Sequence, residues 1–241
     1  MIPPMPSSQL LADARALWPE IAAAPVAFPD QGISIVTSPL SRMCPPGWAG
    51  LVLLAGSGIG TAPDQATADR LRALLADCPM ERLYDPAEAV KALPAAEMLG
   101  PTTLAYLAPD AFRPSSSHVV EQLPVDHPDL RALEKRCSPE DRGEAGIDEL
   151  TSPVFAVRDG DDVIAAAGYA SWPRNTAHIA VLTAPHARGR GLAKATASSA
   201  IAHSFAAGML PQWRARVPAS QRVARALGFA ELGVQISLKL G

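Results

Sequence analysis

A glycine-rich basic loop between an apolar strand and a long helix is the feature that most constrains the fold of this chain. The apolar run 179–182 is typical of a strand, and Pro185 ends it. The loop Arg188-Gly189-Arg190-Gly191-Leu192-Ala193 follows, and residues 194–207 are rich in alanine and free of proline, which predicts a helix. Glycines let a backbone approach a ligand, and the first N–H groups of a helix are unpaired, so this arrangement predicts a phosphate-binding loop.

The loop resembles the Arg/Gln-x-x-Gly-x-Gly/Ala signature of the GNAT superfamily of acyl-CoA-dependent N-acyltransferases. Arg188, Gly191 and Ala193 fit it directly, whereas a second register that starts at His186 departs from it at that residue. Residues 220–229, which end in Gly-Phe, resemble the helix that precedes the last strands of this fold. The resemblance covers residues 120–241. The competing interpretation of the loop is a surface turn whose arginines lie on a solvated face.

The resemblance implies an α/β (α+β) fold, a GNAT-like mixed central sheet flanked by helices, plus an N-terminal α/β lobe. With 241 residues, the chain is long for one such domain. We therefore expect an N-terminal accessory lobe over residues 1–117 and the acetyltransferase domain over residues 118–241. The order of elements leaves open that the first lobe is a degenerate copy of the second. Strands are predicted at 51–54, 102–107, 155–158, 163–169, 176–183, 212–217 and 235–240, and helices at 8–23, 64–76, 86–93, 127–137, 194–207 and 220–227.

A second glycine-rich segment, Gly56-Ser57-Gly58-Ile59-Gly60, follows the strand 51–54. It fails the Gly-x-Gly-x-x-Gly spacing of a dinucleotide site, because Thr61 stands where the third glycine belongs. We therefore predict a flexible turn at this segment.

Composition narrows the class of protein. The net charge of −3 argues against a nucleic acid as the main partner. The three widely spaced cysteines are typical of reduced thiols in the cytoplasm, and residues 1–6 do not resemble a signal peptide. No apolar run reaches the roughly 18 residues of a membrane span. We expect a cytoplasmic protein without a metal, with a homodimer left open.

The resemblance also implies which residues bind CoA. In this family the strand before the loop offers its backbone to the pantetheine amides, and the loop N–H groups bind the pyrophosphate. The implied cofactor-binding residues here are Val181, Leu182, Thr183, Arg188, Gly189, Arg190, Gly191, Leu192, Ala193, Arg216 and Ser220.

Catalysis needs a base for the acceptor amine, and an acid can assist the leaving thiolate. At the position where family members often carry a glutamate, this chain has His178, whose alternative role is purely structural. The usual tyrosine acid is replaced by Ala224 and a common asparagine by Val217. Tyr169 on the neighbouring strand is a candidate substitute, although a tyrosine there also fits a core position.

Two further segments could border the substrates. Trp213 could form a wall of the acceptor or pantetheine pocket, and Arg214 or Arg216 could face the CoA phosphates or an acidic substrate. The alternative is an apolar anchor with two solvated charges. The loop 172–175 often borders the acceptor site in this fold. Together these features predict an acetyl-CoA-dependent N-acetyltransferase whose acceptor is an amine of a small molecule or protein. The alternative is a non-catalytic acyl-CoA-binding or scaffold protein.

Overall fold

The structure, a computed structural model, describes residues 8–240, which divide into two compact units. The first unit ends at Ala105 and resumes at Glu231, and the second comprises Tyr106–Ala230. Both units mix strands with helices, which confirms the predicted α/β class. The domain boundary between residues 117 and 118 stays a prediction, since compactness does not establish independent folding. Residues 1–6, considered above for a signal peptide, lie outside the described residues.

The described part of the first unit contains three α-helices and five strands. Its strand order is β1-β3-β2-β10-β4, in which β1 and β3 are parallel while β2 is antiparallel to both β3 and β10. Leucines 51, 53 and 71 of its core are fully buried. The helices are α1 (Ser8–Ala22), α2 (Gln65–Leu75) and α3 (Pro86–Ala92), and the strands are β1 (Gly32–Thr37), β2 (Ala49–Leu54), β3 (Ser57–Ala62), β4 (Glu97–Tyr106) and β10 (Ala230–Lys239).

The predicted flexible turn at Gly56–Gly60 is wrong from its second residue onward. Only its first residue, with φ of 83°, and Ala55, with φ of 48°, form the turn between β2 and β3. The rest belongs to the buried strand β3. Gly58 lies opposite Leu53, and a Cβ on this glycine would stand 2.5 Å from the leucine Cδ2. The glycines therefore make room for large side chains, a cause that composition alone does not reveal.

The second unit, all of which lies within the described residues, contains four α-helices and five strands. Its strand order is β9-β8-β7-β6-β5, antiparallel from β5 to β8 and parallel between β8 and β9. Residues 160–161 connect the antiparallel strands β6 and β7, which form a hairpin. The helices are α4 (Pro128–Lys135), α5 (Pro139–Ala145), α6 (Leu192–Ala206) and α7 (Pro218–Leu227), and the strands are β5 (Glu121–Leu123), β6 (Val154–Asp159), β7 (Asp162–Trp172), β8 (Thr176–Thr183) and β9 (Leu210–Ala215).

Helix α6 packs against β7 and β8. Its buried positions are mostly small, including Ala195, Ala197, Ser198 and Ala200, so the helix axis can approach the sheet closely. This packing fixes the first turn of α6 relative to the end of β8. The strand β5 and the helix α5 were not predicted, because three-residue and seven-residue elements leave little periodic signal.

Candidate active site

The strands β8 and β9 pair over only part of their lengths. Their parallel register joins Thr176 to Leu210, residue 177 to residue 211, and His178 to Gln212. Beyond the last of these pairs β8 continues to residue 183 and β9 to residue 215. The two strands therefore separate past the His178–Gln212 pair, and the gap between them opens toward the carboxyl ends of both strands.

The backbone of β8 offers hydrogen-bonding groups to this gap. The Leu210 N–H donates to the Asn175 carbonyl at 2.8 Å. Backbone groups alternate in direction along a strand, so the odd-numbered residues of β8 face β9 and the even-numbered residues face β7. Val181 and Thr183 thus face the gap beyond the paired residues. Leu182 faces β7, and its side chain is buried in the core.

The loop after β8 leads into an open helix N-terminus. A short 3₁₀ turn at Pro185–Ala187 precedes Gly189 and Gly191, whose φ values of 79° and 81° favour glycine. Gly191 is the N-cap of α6 and has no side chain that could cap the first N–H groups at Leu192 and Ala193. The nearest atom to a Cβ on Gly191 would be 3.8 Å away, and none lies within 4 Å of one on Gly189.

The arginines predicted to bind phosphate are paired with carboxylates. Arg188 lies 2.8 Å from Asp141 of α5, and Arg190 lies 3.7 Å from Asp159. Side-chain hydrogen bonding from Arg188 lowers the pKa of the Asp141 carboxyl, which keeps this pair ionised at neutral pH. About half of each arginine side chain is exposed, with fractions of 49% and 50%. Such exposed pairs exchange readily for a more highly charged anion.

A third pair joins α5 to the end of β9. Arg216 contacts Glu144 through two nitrogens, at 3.1 Å from Nε and 2.5 Å from a terminal nitrogen. Asp141 and Glu144 lie on the same short helix, so α5 is held both to the loop after β8 and to the residue after β9. The sequence signal for this arrangement was weak, because α5 itself was not predicted.

His178 lies at the closed end of the gap, at the last paired position of β8 and β9. Its Nδ1 lies 2.5 Å from the Oε1 of Gln212, and the ring of Trp172 stacks on the imidazole at 4.2 Å with an interplanar angle of 17°. The Arg214 guanidinium lies 5.8 Å from the centroid of the same indole. Burial, and secondarily the charge of Arg214, lower the pKa of His178 from 6.5 to about 3. The imidazole is therefore neutral and weakly basic near neutral pH.

Tyr169 lies on the opposite face of the sheet from His178. Tyr169 pairs with Ile179 and its neighbour Ala170 pairs with His178, and adjacent residues of a strand point to opposite faces. The buried Tyr169 hydroxyl is within 2.9 Å of His203 Nδ1, and desolvation raises the pKa of the phenol. The structure does not bring the two predicted catalytic residues together. For Tyr169 to act as the acid, its hydroxyl would have to leave His203.

Ser220 and Trp213 form a separate contact. The Trp213 Nε1–H donates to the Ser220 Oγ at 3.0 Å, and the indole meets the ring of Phe229 edge-on at 5.4 Å. Trp213 is thus a buried anchor between β9 and α7. Gly228 ends α7 with φ of 100°, and a Cβ there would lie 2.0 Å from the Ala111 carbonyl oxygen. The Gly-Phe motif is therefore a packing requirement.

Sequence reasoning missed Gln212. Its side chain is fully buried, and within the described residues it hydrogen-bonds to His178 alone. A glutamine between the apolar residues Pro211 and Trp213 was a usable signal, but its register with His178 depends on a parallel pairing of residues distant in sequence.

Comparison with known families agrees with this geometry. Residues 154–233, which run from the start of β6 into β10, match the family model described as GNAT acetyltransferase. These residues form a GNAT domain. The GNAT assignment of the loop is thereby confirmed, whereas the binding role of each residue stays a prediction. No curated protein matches the chain.

The chain is also similar to several solved structures. A GNAT-family acetyltransferase from Colwellia psychrerythraea is 12% identical with a TM-score of 0.50, over 98% of this chain and 75% of that protein. A GNAT-family protein from Novosphingobium aromaticivorans is 21% identical with a TM-score of 0.47, over 60% of this chain and 65% of that protein. A GCN5-related N-acetyltransferase-like protein from Streptococcus suis is 17% identical with a TM-score of 0.45, over 80% of this chain and 84% of that protein.

None of the helices within residues 8–240 is long and apolar enough to cross a membrane.

Proposed function

We propose that the protein transfers an acetyl group from acetyl-CoA to an amine of a small molecule or a protein. The observation that carries the proposal is the parallel pair β8–β9, which separates past His178 and Gln212 next to an uncapped helix N-terminus. The GNAT assignment of residues 154–233 supports the same conclusion independently.

The residues present fit the proposed cofactor. Acetyl-CoA, when bound, supplies an acetyl group activated as a thioester. The N–H groups of Leu192 and Ala193, together with the open space over Gly189 and Gly191, would accept its pyrophosphate. The backbone of Val181 and Thr183 would hold its pantetheine arm. In this proposal Leu182 contributes to the floor of the gap rather than through hydrogen bonds.

The cationic side chains would act only after exchanging partners. Arg188, Arg190 and Arg216 would turn from their carboxylates to the CoA phosphates, where bidentate charge-assisted bonds are stronger. Ser220, in the first turn of α7, would also contact the bound CoA. Each exchange replaces an ion pair between exposed side chains, so its cost is small, on the order of 1 kcal/mol or less.

His178 would accept the proton that the amine loses. Because its lowered pKa leaves the ring neutral, it has a lone pair available throughout the neutral range. Because the same shift makes it a weak base, it would take the proton as attack makes the amine nitrogen more acidic, rather than from the free ammonium. Tyr169 remains the proposed acid, and to act it would first have to break the hydrogen bond between its hydroxyl and His203 Nδ1.

Ligand-induced stabilisation tests the cofactor. Acetyl-CoA at about a hundred times its dissociation constant should stabilise the protein by roughly 2.7 kcal/mol, measured as a rise in melting temperature. An unchanged melting temperature at millimolar acetyl-CoA would overturn the proposal.

The absence of the usual residues at Ala224 and Val217 favours a second candidate, a protein that binds acyl-CoA without efficient catalysis. Free thiol released from acetyl-CoA in the presence of a panel of amines separates the two. Acceptor-dependent release supports the acetyltransferase, and binding without release supports the second candidate.

A further inference from the structure

The environment of Gln212 is unusual for a buried strand position. The side chain is completely buried, yet its Nε2 has no hydrogen-bond partner within residues 8–240. An unsatisfied buried polar group lowers the stability of a protein, and an apolar side chain of similar size would avoid that loss. The hydrogen bond that the Gln212 side chain does make is with His178 Nδ1. The role of this buried amide therefore lies in its hydrogen bond with the imidazole.

Gln212 holds one edge of the ring while Trp172 covers one face. The glutamine and the histidine are register partners at the last paired position of β8 and β9, so the backbone fixes their separation. The indole stacks nearly parallel to the imidazole. A half-turn of the ring about its Cβ–Cγ bond would move Nδ1 away from Gln212, and a smaller rotation would also break the stacking on Trp172. The imidazole is therefore held in one orientation before any substrate arrives.

The contact also selects a tautomer. A neutral imidazole has one N–H and one lone pair, and an amide oxygen can only accept a hydrogen bond. With Oε1 facing the ring, the proton must lie on Nδ1 and the lone pair on Nε2. The ring Nε2 makes no hydrogen bond among the described residues, so this lone pair is available to a bound molecule.

We propose that Gln212 is the positioning residue of His178: it fixes the Nδ1–H tautomer and so makes Nε2 the nitrogen that accepts the proton of the acceptor amine. This inference rests on the proposed acetyl transfer for its catalytic meaning. Its structural content concerns the ligand-free chain and is tested there.

The first test is nuclear magnetic resonance of the 241-residue chain labelled with ¹⁵N-histidine, without acetyl-CoA. The His178 signals are assigned by their loss in His178→Ala. We expect a protonated Nδ1 and an unprotonated Nε2. In Gln212→Leu, which keeps the site apolar and buried, the population should move toward the Nε2–H form that a free imidazole favours in water. A wild-type protein in the Nε2–H form would overturn the proposal.

The second test is a titration of the same signals in Gln212→Glu. A carboxylate in place of the amide still accepts from Nδ1, so the tautomer should be kept. It should also raise the pKa of His178 by about 1–3 units relative to the wild type. A pKa that is unchanged by this substitution would show that residue 212 does not contact the ring, and would overturn the proposal.

Turnover separates this inference from the proposed function. If the protein is an acetyltransferase, Gln212→Leu should lower kcat about a hundredfold while the KM for acetyl-CoA and the melting temperature stay close to those of the wild type. Gln212→Glu should retain turnover at pH values above the raised pKa of His178 and lose turnover below it. Unchanged kcat in Gln212→Leu would refute the positioning role. The expected tautomers without acetyl transfer to any amine would leave the positioning geometry in place and refute the proposed function alone.

Discussion

Replacing Gly191 by aspartate tests the cofactor site most directly. Gly191 is the N-cap of α6 and lies in an exposed loop, with φ of 81° and a single atom within 4 Å of the position that a Cβ would take. An aspartate carboxylate there would reach the same helix N–H groups that the pyrophosphate is proposed to use. The substitution therefore blocks the donors and adds a negative charge beside a doubly charged ligand.

The size of the effect follows from two separate contributions. Left-handed backbone at a residue with a Cβ costs about 1–2 kcal/mol, and this lowers the stability of the protein without affecting the ligand. Two like charges about 4 Å apart repel by about 4 kcal/mol at the effective dielectric constant of a protein surface. That repulsion corresponds to roughly a thousandfold loss of acetyl-CoA affinity.

A matched control separates these contributions. Gly208 follows the other end of α6, has φ of 70° and has no atom within 4 Å of an added Cβ. Gly208→Asp thus introduces the same charge and a similar backbone strain away from the loop. Gly208→Asp should lose more stability in denaturant unfolding, because its charge lies at the carboxyl end of α6, whereas an aspartate at residue 191 lies at the favourable end of the helix dipole. Only Gly191→Asp should lose acetyl-CoA binding in titration calorimetry. Equal acetyl-CoA affinities in Gly191→Asp and the wild type would refute the assignment of this loop as the phosphate site.

Three further outcomes are expected. His178→Ala should lower turnover about a hundred- to ten-thousandfold with little change in acetyl-CoA affinity. Because the pKa of His178 is lowered to about 3, the loss of wild-type turnover that its protonation causes should lie far below pH 6.5. A fall in turnover between pH 5 and 8 that the wild type and His178→Ala share belongs to the acceptor amine. Asp141→Asn should release Arg188 and tighten acetyl-CoA binding by up to about fivefold, whereas Asp162→Asn, which breaks an ion pair elsewhere, should not; equal effects would contradict the exchange of partners. Gly228→Ala should destabilise the protein by about 2–5 kcal/mol in denaturant unfolding, since its Cβ would meet a carbonyl oxygen at 2.0 Å, and a loss below about 0.5 kcal/mol would show that the backbone relaxes easily.

The loop could be predicted from residues that are adjacent in sequence, whereas the contacts between residues distant in sequence could not. The glycines and the alanine-rich helix lie next to one another in sequence, and they predicted the strand–loop–helix segment correctly. The partner of His178 could not be read in the same way, because Gln212 reaches it only through the parallel register of β8 and β9. The carboxylate partner of Arg188 was also hidden, since Asp141 lies on a helix too short to show a period. The glycines of β3 were misread because the leucines that exclude a side chain come from another strand.

The strand β10 has a consequence for the order in which the chain can fold during synthesis. It lies between β2 and β4 in the first unit, and Gly233–Leu238 pair with Leu54–Ala49. A ribosome makes this strand after every residue of the second unit. The nascent first unit must therefore wait with the edge of β2 uncovered while Tyr106–Ala230 emerges and can fold. A cut or frameshift near residue 230 would consequently damage the half of the protein that was translated first.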